Sequence, residues 1–348
     1  MSLGEEQQIM NTTSSTFIPK YTSMDQINQN FNLLYFLDRK TEHLRTLISD
    51  YMSVPGTPLN IKKRVILLSW MQDFCATNGF KRDTFHSASI LVDVYMSKVK
   101  VIDMNKYQLL GATAMLIAMK NEEVEFLPID HFSSSTAGAC SSEDIRDFEK
   151  QMIKTLSWKV QYPNLAYWAN LITKEWDTFV LDNPNLRDSF HLFRNDAQLG
   201  YSLFKNLFLF LDVMTLDYIH LKYNEKKLCL SLCYLLLGLS LQCFSLDNIL
   251  HGLSNIQPNG SFYTFNTVFN FFIKLRFNLE LDDLRNEIEY SVLFFDIYYD
   301  YNESHFAARA ETEEERLQLQ TKNKHFIESI KKVWDRREAI NENPFQPN

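Results

Sequence analysis

Apolar residues along this chain recur at the three- and four-residue spacing of amphipathic helices. Residues 31–52 show this spacing first, and a dense helical region runs from residue 61 to about residue 160. A second helical region follows Pro163 and extends to about residue 301. The interval between Pro58 and Pro128 contains no proline, which favours long helices over short strands. The pattern therefore predicts an all-α fold.

The same pattern divides the chain into five parts. Residues 1–30 are rich in Ser, Thr, Asn and Gln, and we expect them to be disordered. Residues 31–60 are predicted to form an N-terminal helix that ends at the VPGTP segment. Two helical domains are predicted at residues 61–160 and 161–302. Residues 303–348 have mixed charge, which predicts a surface helix or a tail.

Two predicted helices carry a charge on their apolar face. In the segment YQLLGATAMLIAMKNEE, Lys120 falls on a face that is otherwise apolar. In the segment IRDFEKQMIKTL, Glu149 lies within the apolar stripe. The other residues of these two faces are Leu109, Thr113, Leu116, Ile145, Phe148, Met152 and Leu156. Opposite charges placed in this way indicate polar anchors beside a groove.

Composition and charge narrow the classes of partner. The chain has 348 residues, of which 45% are hydrophobic and 22% are charged, as in a soluble globular protein with room for two domains. Its formal net charge is −8 at pH 7. Because binding to a phosphate backbone requires a concentrated Lys/Arg surface, we expect no nucleic-acid partner.

The cysteines are predicted to be free thiols. There are five of them, without the compact spacing of a disulfide framework, which indicates a reducing compartment. Cys229 and Cys233 lie one helical turn apart, but no further Cys or His completes a tetrahedral metal site. We interpret both as buried thiols and expect no metal and no cofactor.

One segment is long and apolar enough to raise the question of a membrane span. Leu228 to Leu246 carries no charge, but it contains several serines and Gln242, and Gly238 offers a break. A buried core helix is therefore the preferred interpretation. The first residues, MSLGEEQQIMNTTSST, have acids where a signal peptide needs positive charge. We expect a soluble intracellular protein, nuclear and/or cytoplasmic, with no membrane partner.

An internal repeat connects the two helical regions. The segment LVDVYM resembles LFLDVM, and their aspartates, Asp93 and Asp212, are 119 residues apart. A duplicated helical unit of about 100 residues explains this similarity. The second copy has Leu239 where the first has Lys120, so the first copy is predicted to be the functional half.

Several segments, taken in order and at their spacing, resemble the cyclin family over about residues 30–300. They are KRVILLSW, LVDVYMS and GATAMLIAMKNEE, and AGACSSEDIRDFEKQMIKTLSWKV is similar to the E-type cyclins. The resemblance implies two tandem five-helix cyclin boxes with an N-terminal helix. It also implies a non-catalytic regulatory subunit that binds and activates a cyclin-dependent serine/threonine kinase, with cell-cycle control of a G1/S type.

The resemblance assigns a kinase-binding role to five residues. Lys120 and Glu149 match the two anchors that position the regulatory helix of the kinase, and Ile117, Glu122 and Glu123 surround them. A partly desolvated Lys–Glu pair offers donors and acceptors that gain strength when a partner excludes water.

Two further sets of residues are implied by the resemblance. The first is a substrate-docking patch for substrates or inhibitors that contain an Arg-x-Leu segment, and its residues are Ile66, Leu67, Trp70, Asp73 and Gln108. Lys63 stands here in place of the family's methionine, so docking is expected to be weakened or altered. The second is a structural salt bridge between Arg64 and Asp93.

Two alternatives belong to other classes of protein. A cyclin-fold transcription factor would bind DNA, which the acidic net charge disfavours. A helical terpenoid-type enzyme is suggested faintly by LDDLRNEIE, at Leu281 to Glu289, but Asn286 replaces an acid and no second metal motif follows. Acids near the positive end of a helix dipole explain this segment better.

Overall fold

The fold is helical throughout the part of the chain that the computed structural model describes. This part comprises residues 24–48, 51, 61–99, 102–183, 196–245, 248 and 260–295. It contains eleven α-helices, three short 3-10 helices and no β-strand. The predicted all-α fold is confirmed.

The first six helices are α1 (Met24–Leu47), α2 (Ile61–Thr77), α3 (Arg82–Val99), α4 (Tyr107–Glu122), α5 (Ile129–Ser135) and α6 (Ser142–Thr155). The remaining five are α7 (Leu165–Asp182), α8 (Asp196–Leu216), α9 (Glu225–Ser240), α10 (Gly260–Phe277) and α11 (Arg285–Val292). We refer to α2–α6 as the first bundle and to α7–α11 as the second bundle. The boundary predicted after residue 160 lies between α6 and α7.

Each bundle is built around one central helix. Every residue of α4 from Leu110 to Met119 is buried, and the helix contacts α2, α3, α5 and α6. In the second bundle, α9 is buried from Leu228 to Gly238 and contacts α7, α8, α10 and α11. A helix that is apolar on all sides is stable in water only when other helices surround it. Within the described ranges, no helix is long and apolar enough to cross a membrane.

The internal repeat coincides with helices of both bundles. Asp93 lies in α3 and Asp212 lies in α8, and both side chains are buried. The same offset along the chain places α4 on α9 and α6 on α10. The two bundles therefore share an order of helices as well as a short sequence motif.

The N-terminal helix differs from its predicted bounds. It begins at Met24, although residues 24–30 were expected to be disordered, and it ends at Leu47. No glycine or proline interrupts 24–47, so polar Asn and Gln residues alone do not stop the helix. The VPGTP segment, residues 1–23 and the predicted tail at 303–348 lie outside the described residues.

Contacts with both bundles hold α1 in place. Leu37 and Leu44 are buried in the core. Trp168 of α7 donates a hydrogen bond from Nε1 to Thr41 Oγ1 at 3.2 Å, and Lys226 of α9 lies 2.8 Å from Asp38 Oδ1. Because α1 also contacts α3 of the first bundle, it bridges the two bundles.

The segment that faintly resembled a metal motif is a helix start. Leu281–Leu284 forms a 3-10 helix that leads into α11, and Glu280 and Asp283 form a capping box at its start. Asp282 faces Arg285 at 3.4 Å. In the described part of the chain, no group of three or more His, Cys, Asp or Glu side chains could hold a metal ion.

All five cysteines are free and buried. Burial raises the pKa of the Cys233 thiol to about 12. Cys229, one turn away, is also held above its ordinary pKa by burial. Thiols with raised pKa values stay protonated and unreactive, so this pair packs in the core as predicted.

Candidate functional site

Helix α6 presents Glu149 from a well-defined helix start. The side chain of Ser141 accepts a hydrogen bond from the backbone N–H of Asp144, and the Asp144 carboxylate accepts from the backbone N–H of Ser141 at 2.9 Å. Two backbone donors that would otherwise lack partners are satisfied by this capping box. The predicted apolar stripe is buried, and its residues are Ile145, Phe148, Met152 and Leu156. Packing of this stripe fixes the rotation of α6, so Glu149 is placed at the edge of the core.

Lys120 and Glu149 form an ion pair with each other. The distance between Lys120 Nζ and Glu149 Oε1 is 2.5 Å. The side chain of Lys120 is 48% exposed and that of Glu149 is 14% exposed. Lys120 was expected within the buried stripe, but it lies in the last turn of α4, beyond the edge of the core. A cation there also interacts favourably with the negative end of the helix dipole.

The second bundle has no equivalent of this ion pair. The offset of the repeat maps Lys120 onto Leu239 and Glu149 onto Val268. Leu239 is partly buried at the end of α9, and Val268 is buried in α10. Helices equivalent to α4 and α6 therefore occur in both bundles, but the Lys–Glu pair occurs on those of the first bundle alone.

Glu122 and Glu123 connect the end of α4 to the start of α3. Glu123 Oε1 accepts a hydrogen bond from the backbone N–H of Lys81 at 2.7 Å and another from Thr84 Oγ1 at 2.5 Å. Glu122 Oε1 accepts a hydrogen bond from Ser87 Oγ at 2.7 Å. A carboxylate at a helix N-terminus satisfies free backbone donors and is favoured by the dipole. Both acids therefore hold the last turn of α4, which carries Lys120.

Sequence reasoning missed two exposed apolar residues that follow the helix end carrying Lys120. Val124 and Phe126 follow α4 directly, and Phe126 is 62% exposed. Ile117, predicted as a contact residue, is buried one turn before Lys120 and belongs to the core. The segment VEFL contained a signal, because its apolar residues alternate with an acid just after a helix end. Exposed apolar residues beside a charged pair are typical of an interaction surface.

The predicted docking patch lies on one face of α2 and on the first turn of α4. Ile66 is 49% exposed, whereas Trp70 and Asp73, on the next turns of α2, are half-buried. Gln108 is half-buried at the start of α4. Leu67 is buried in the core, so it supports this surface from below.

Arg64 and Asp93 form the buried pair that the resemblance implied. Arg64 donates from Nε to Asp93 Oδ1 at 2.9 Å and from Nη2 to Asp93 Oδ2 at 2.7 Å. Tyr51 also donates its hydroxyl to Asp93 Oδ1 at 2.6 Å. Burial alone lowers the pKa of Arg64, but the Asp93 carboxylate outweighs burial and raises the pKa above its ordinary value. The guanidinium is therefore permanently charged inside the core.

Asp212, the counterpart of Asp93 in the repeat, joins the two bundles. Its Oδ2 lies 2.6 Å from Arg82 Nη1, and its Oδ1 lies 3.0 Å from His86 Nε2. Arg82 and His86 belong to α3 of the first bundle, whereas Asp212 belongs to α8 of the second. The other ring nitrogen of His86 is 3.1 Å from Thr215 Oγ1. The interface between the two bundles is therefore joined by hydrogen bonds among the side chains of Arg82, His86, Asp212 and Thr215.

Comparison with known proteins identifies the region that contains the pair. Residues 33–161 match the family described as cyclin, N-terminal domain. A G1/S-specific cyclin-E1 of Rattus norvegicus is 33% identical over 113 residues, which cover 32% of this chain and 28% of that protein. A G1/S-specific cyclin-E of Hemicentrotus pulcherrimus is 28% identical over 176 residues, 51% of this chain and 40% of that protein.

A relative that is named as a mitotic cyclin also matches this chain. The G2/mitotic-specific cyclin-2 of Saccharomyces cerevisiae is 34% identical over 116 residues, which cover 33% of this chain and 23% of that protein. The chain thus matches less than half the length of each of these relatives. The matched domain at residues 33–161 includes α2–α6, Lys120 and Glu149. Residues 33–161 thus form a cyclin N-terminal domain, similar to that of the E-type cyclins.

Proposed function

We propose that this chain is a regulatory subunit that binds and activates a cyclin-dependent serine/threonine kinase, with control of a G1/S-like step. The cyclin N-terminal domain at residues 33–161 supports the proposal, as do relatives that include G1/S-specific cyclins. The observation that carries it is the exposed ion pair of Lys120 and Glu149, which the second bundle lacks.

The geometry of this pair suits a protein partner. Lys120 Nζ can donate further hydrogen bonds besides the one to Glu149, and the second carboxylate oxygen of Glu149 can accept others. A helix of the kinase that packs over Val124 and Phe126 would exclude water from the pair. Charge-assisted hydrogen bonds become stronger under these conditions, and they fix the orientation of the partner. The chain would position the kinase's regulatory helix, and the kinase would carry out the chemistry.

The test is co-purification with the kinase. The tagged chain is expressed in cells of its source, the bound kinase is identified by mass spectrometry, and kinase activity is measured in the purified complex. The variant Lys120→Ala/Glu149→Ala should lose about tenfold or more of the bound kinase, because truncating paired polar anchors weakens interfaces strongly. An exposed pair contributes only about 0–1 kcal/mol to folding, so the variant should remain folded.

The second bundle offers a matched control. Lys274 and Glu280 form an exposed ion pair of 2.7 Å, on α10 and in the segment that follows it. The variant Lys274→Ala/Glu280→Ala removes the same side chains from a different surface, and it should bind and activate the kinase as the unmodified chain does. Full kinase binding by the Lys120→Ala/Glu149→Ala variant would refute the assignment of the anchors.

We further propose that the face formed by Ile66, Trp70 and Asp73 docks substrates with an Arg-x-Leu segment. Ile66 and the edge of Trp70 offer an apolar surface for the leucine, and Asp73 offers a carboxylate for the arginine. Lys63 lies on the same helix and places a like charge near an incoming arginine. Removing the Arg-x-Leu segment from a substrate should slow its phosphorylation by the complex, and equal rates would refute docking at this face.

A further inference from the structure

A pocket lies between α1 and the segment that joins the two bundles. Its volume is about 340 Å³, which is within the range of small-ligand sites. Its lining residues are Lys40, His43, Trp158, Lys159, Val160, Gln161, Tyr162 and Pro163. None of them was predicted as a site residue from the sequence, and none belongs to the pair of Lys120 and Glu149.

Three of the lining residues are basic. Lys40 and His43 lie one turn apart on α1, and Lys159 Nζ is 3.5 Å from His43 Nε2. Within the described part of the chain, none of the three is paired with a carboxylate. No acidic residue lines the pocket. The pocket therefore concentrates positive charge on a protein whose formal net charge is −8.

Asp38 and Glu42, the two acids of α1 nearest in sequence to Lys40 and His43, are engaged elsewhere. Asp38 pairs with Lys226 of the second bundle at 2.8 Å. Glu42 pairs with Arg45 at 3.3 Å and accepts a hydrogen bond from Asn224 at 3.4 Å. Neither Asp38 nor Glu42 is paired with Lys40 or Lys159, and Lys40 Nζ lies over the Phe36 ring, 4.6 Å from its centroid, without a carboxylate partner among the described residues. This segregation makes the pocket suitable for an anion.

Aromatic residues form part of the wall. Trp158 is 78% exposed, and its backbone has a φ of 63°, in the left-handed region that bulky residues rarely adopt. Its backbone N–H donates to the carbonyl oxygen of Ile153 at 3.0 Å, which holds the turn after α6. The Tyr162 hydroxyl is buried without a hydrogen-bond partner in the described structure.

We propose that this pocket binds a phosphorylated serine or threonine side chain of a partner peptide. A phosphate monoester carries a charge of about −1.5 to −2 at pH 7 and has three strong acceptor oxygens. Lys40, His43 and Lys159 all line the pocket and can supply donors, whereas a single carboxylate would leave part of this charge uncompensated. The exposed ring of Trp158 provides a surface for the peptide that carries the phosphate. The inference does not depend on the proposed kinase activation.

The test is a titration with defined peptides. A fluorescein-labelled peptide of Gly and Ala residues with one central phosphoserine is titrated with the full chain, and fluorescence anisotropy reports binding. Matched peptides carry Ser or Glu at the central position. We expect the phosphoserine peptide to bind about tenfold or more tightly than the Glu peptide, because the dianion engages more of the cations. The Ser peptide should show the weakest binding.

Variants locate the binding site. Lys40→Ala/Lys159→Ala should weaken phosphopeptide binding by about tenfold or more, since two charge-assisted contacts are lost. Lys274→Ala removes an exposed lysine of the second bundle and should leave the affinity unchanged. Circular dichroism checks that each variant is folded. Equal affinities for the phosphoserine and Glu peptides would overturn the preference for phosphate, and full affinity in the Lys40→Ala/Lys159→Ala variant would overturn the assignment of the pocket.

Discussion

Arg64 of the first bundle donates a hydrogen bond from Nη1 to the backbone carbonyl oxygen of Thr215 in the second bundle, at 3.0 Å. The same nitrogen lies 3.1 Å from the carbonyl oxygen of Leu216, the last residue of α8. The final carbonyls of a helix lack partners within the helix, and the dipole favours a cation next to them. Arg64 therefore neutralises Asp93 and caps a helix of the other bundle at the same time.

Removal of this guanidinium should destabilise both bundles together. In Arg64→Met, Asp93 remains buried without its cation, and two carbonyl groups lose their donor. We expect the free energy of unfolding to fall by about 3–5 kcal/mol, as when one partner of a buried pair is removed. Urea unfolding followed by circular dichroism measures the change.

The control for this prediction is an exposed ion pair of similar composition. Arg285 lies 3.4 Å from Asp282, and both side chains are highly exposed. Arg285→Met should change the free energy of unfolding by less than about 0.5 kcal/mol. A loss below about 1 kcal/mol in Arg64→Met would contradict the structural role described for Arg64.

Gly111 sets the distance between α2 and α4 beneath the docking patch. A Cβ atom at this position would lie 2.8 Å from Leu67 Cδ1 and 3.1 Å from Trp70 Cζ3. Gly111→Ala should therefore displace Trp70 and cost about 1–3 kcal/mol of stability through overpacking. Thermal unfolding measures the cost, and phosphorylation of an Arg-x-Leu substrate reports on the displaced patch.

Gly260 is the matched control for Gly111. It begins α10, and a Cβ atom there would meet no atom within 4 Å. Gly260→Ala should leave stability unchanged or raise it slightly, because alanine loses less backbone entropy in a helix. If both alanine variants unfold at the same temperature as the unmodified chain, the close approach at Gly111 has no energetic consequence.

Glu225 should make stability depend on pH near neutrality. Burial raises the pKa of its carboxyl to about 7, and the Oε2 atom has no hydrogen-bond partner in the described structure. A group whose pKa is raised on folding binds more protons in the folded state, so stability increases as the pH falls. Between pH 8 and pH 6.5 this contribution amounts to about 1 kcal/mol.

The variant Glu225→Gln isolates that contribution. Burial and Arg64 lower the pKa of His220 to about 4, so His220 opposes Glu225 only below about pH 6.5. On acidification from pH 8 to pH 6.5, the melting temperature of the unmodified chain should rise by about 2 °C more than that of Glu225→Gln. Identical pH profiles for the two proteins would show that Glu225 stays ionised in the fold.

Local patterns predicted the helices well where several signals agreed. For α6, the apolar stripe from Ile145 to Leu156 predicted the helix, and the Ser141 cap and the acids of the first turn in the structure agree with it. The start of α1 was placed too late, because polar composition was interpreted as disorder although no helix breaker was present. Over such a short segment, the presence or absence of glycine and proline predicts the end of a helix better than polar composition does.

Relationships between distant residues could not be obtained from local patterns. The family resemblance assigned Lys120 and Glu149 the same kinase-binding role. Their direct contact, with 2.5 Å between Lys120 Nζ and Glu149 Oε1, depends on how α4 and α6 pack. The pocket requires α1 to lie against residues 158–163, more than a hundred positions later in the chain. No sequence pattern in either segment indicates contact with the other segment. The proximity of Lys40 and Lys159 is therefore visible only in the tertiary structure.

The duplicated aspartates have a consequence for how such a protein can evolve. Asp93 and Asp212 occupy equivalent helices, but both obtain their cation from the first bundle, through Arg64 and through Arg82. A second bundle produced alone would carry a buried acid without a counter-charge. The copies therefore ceased to be interchangeable modules after the duplication. A chimera that joins this second bundle to a relative's first bundle should fold only when that first bundle supplies residues equivalent to Arg82 and His86 for Asp212.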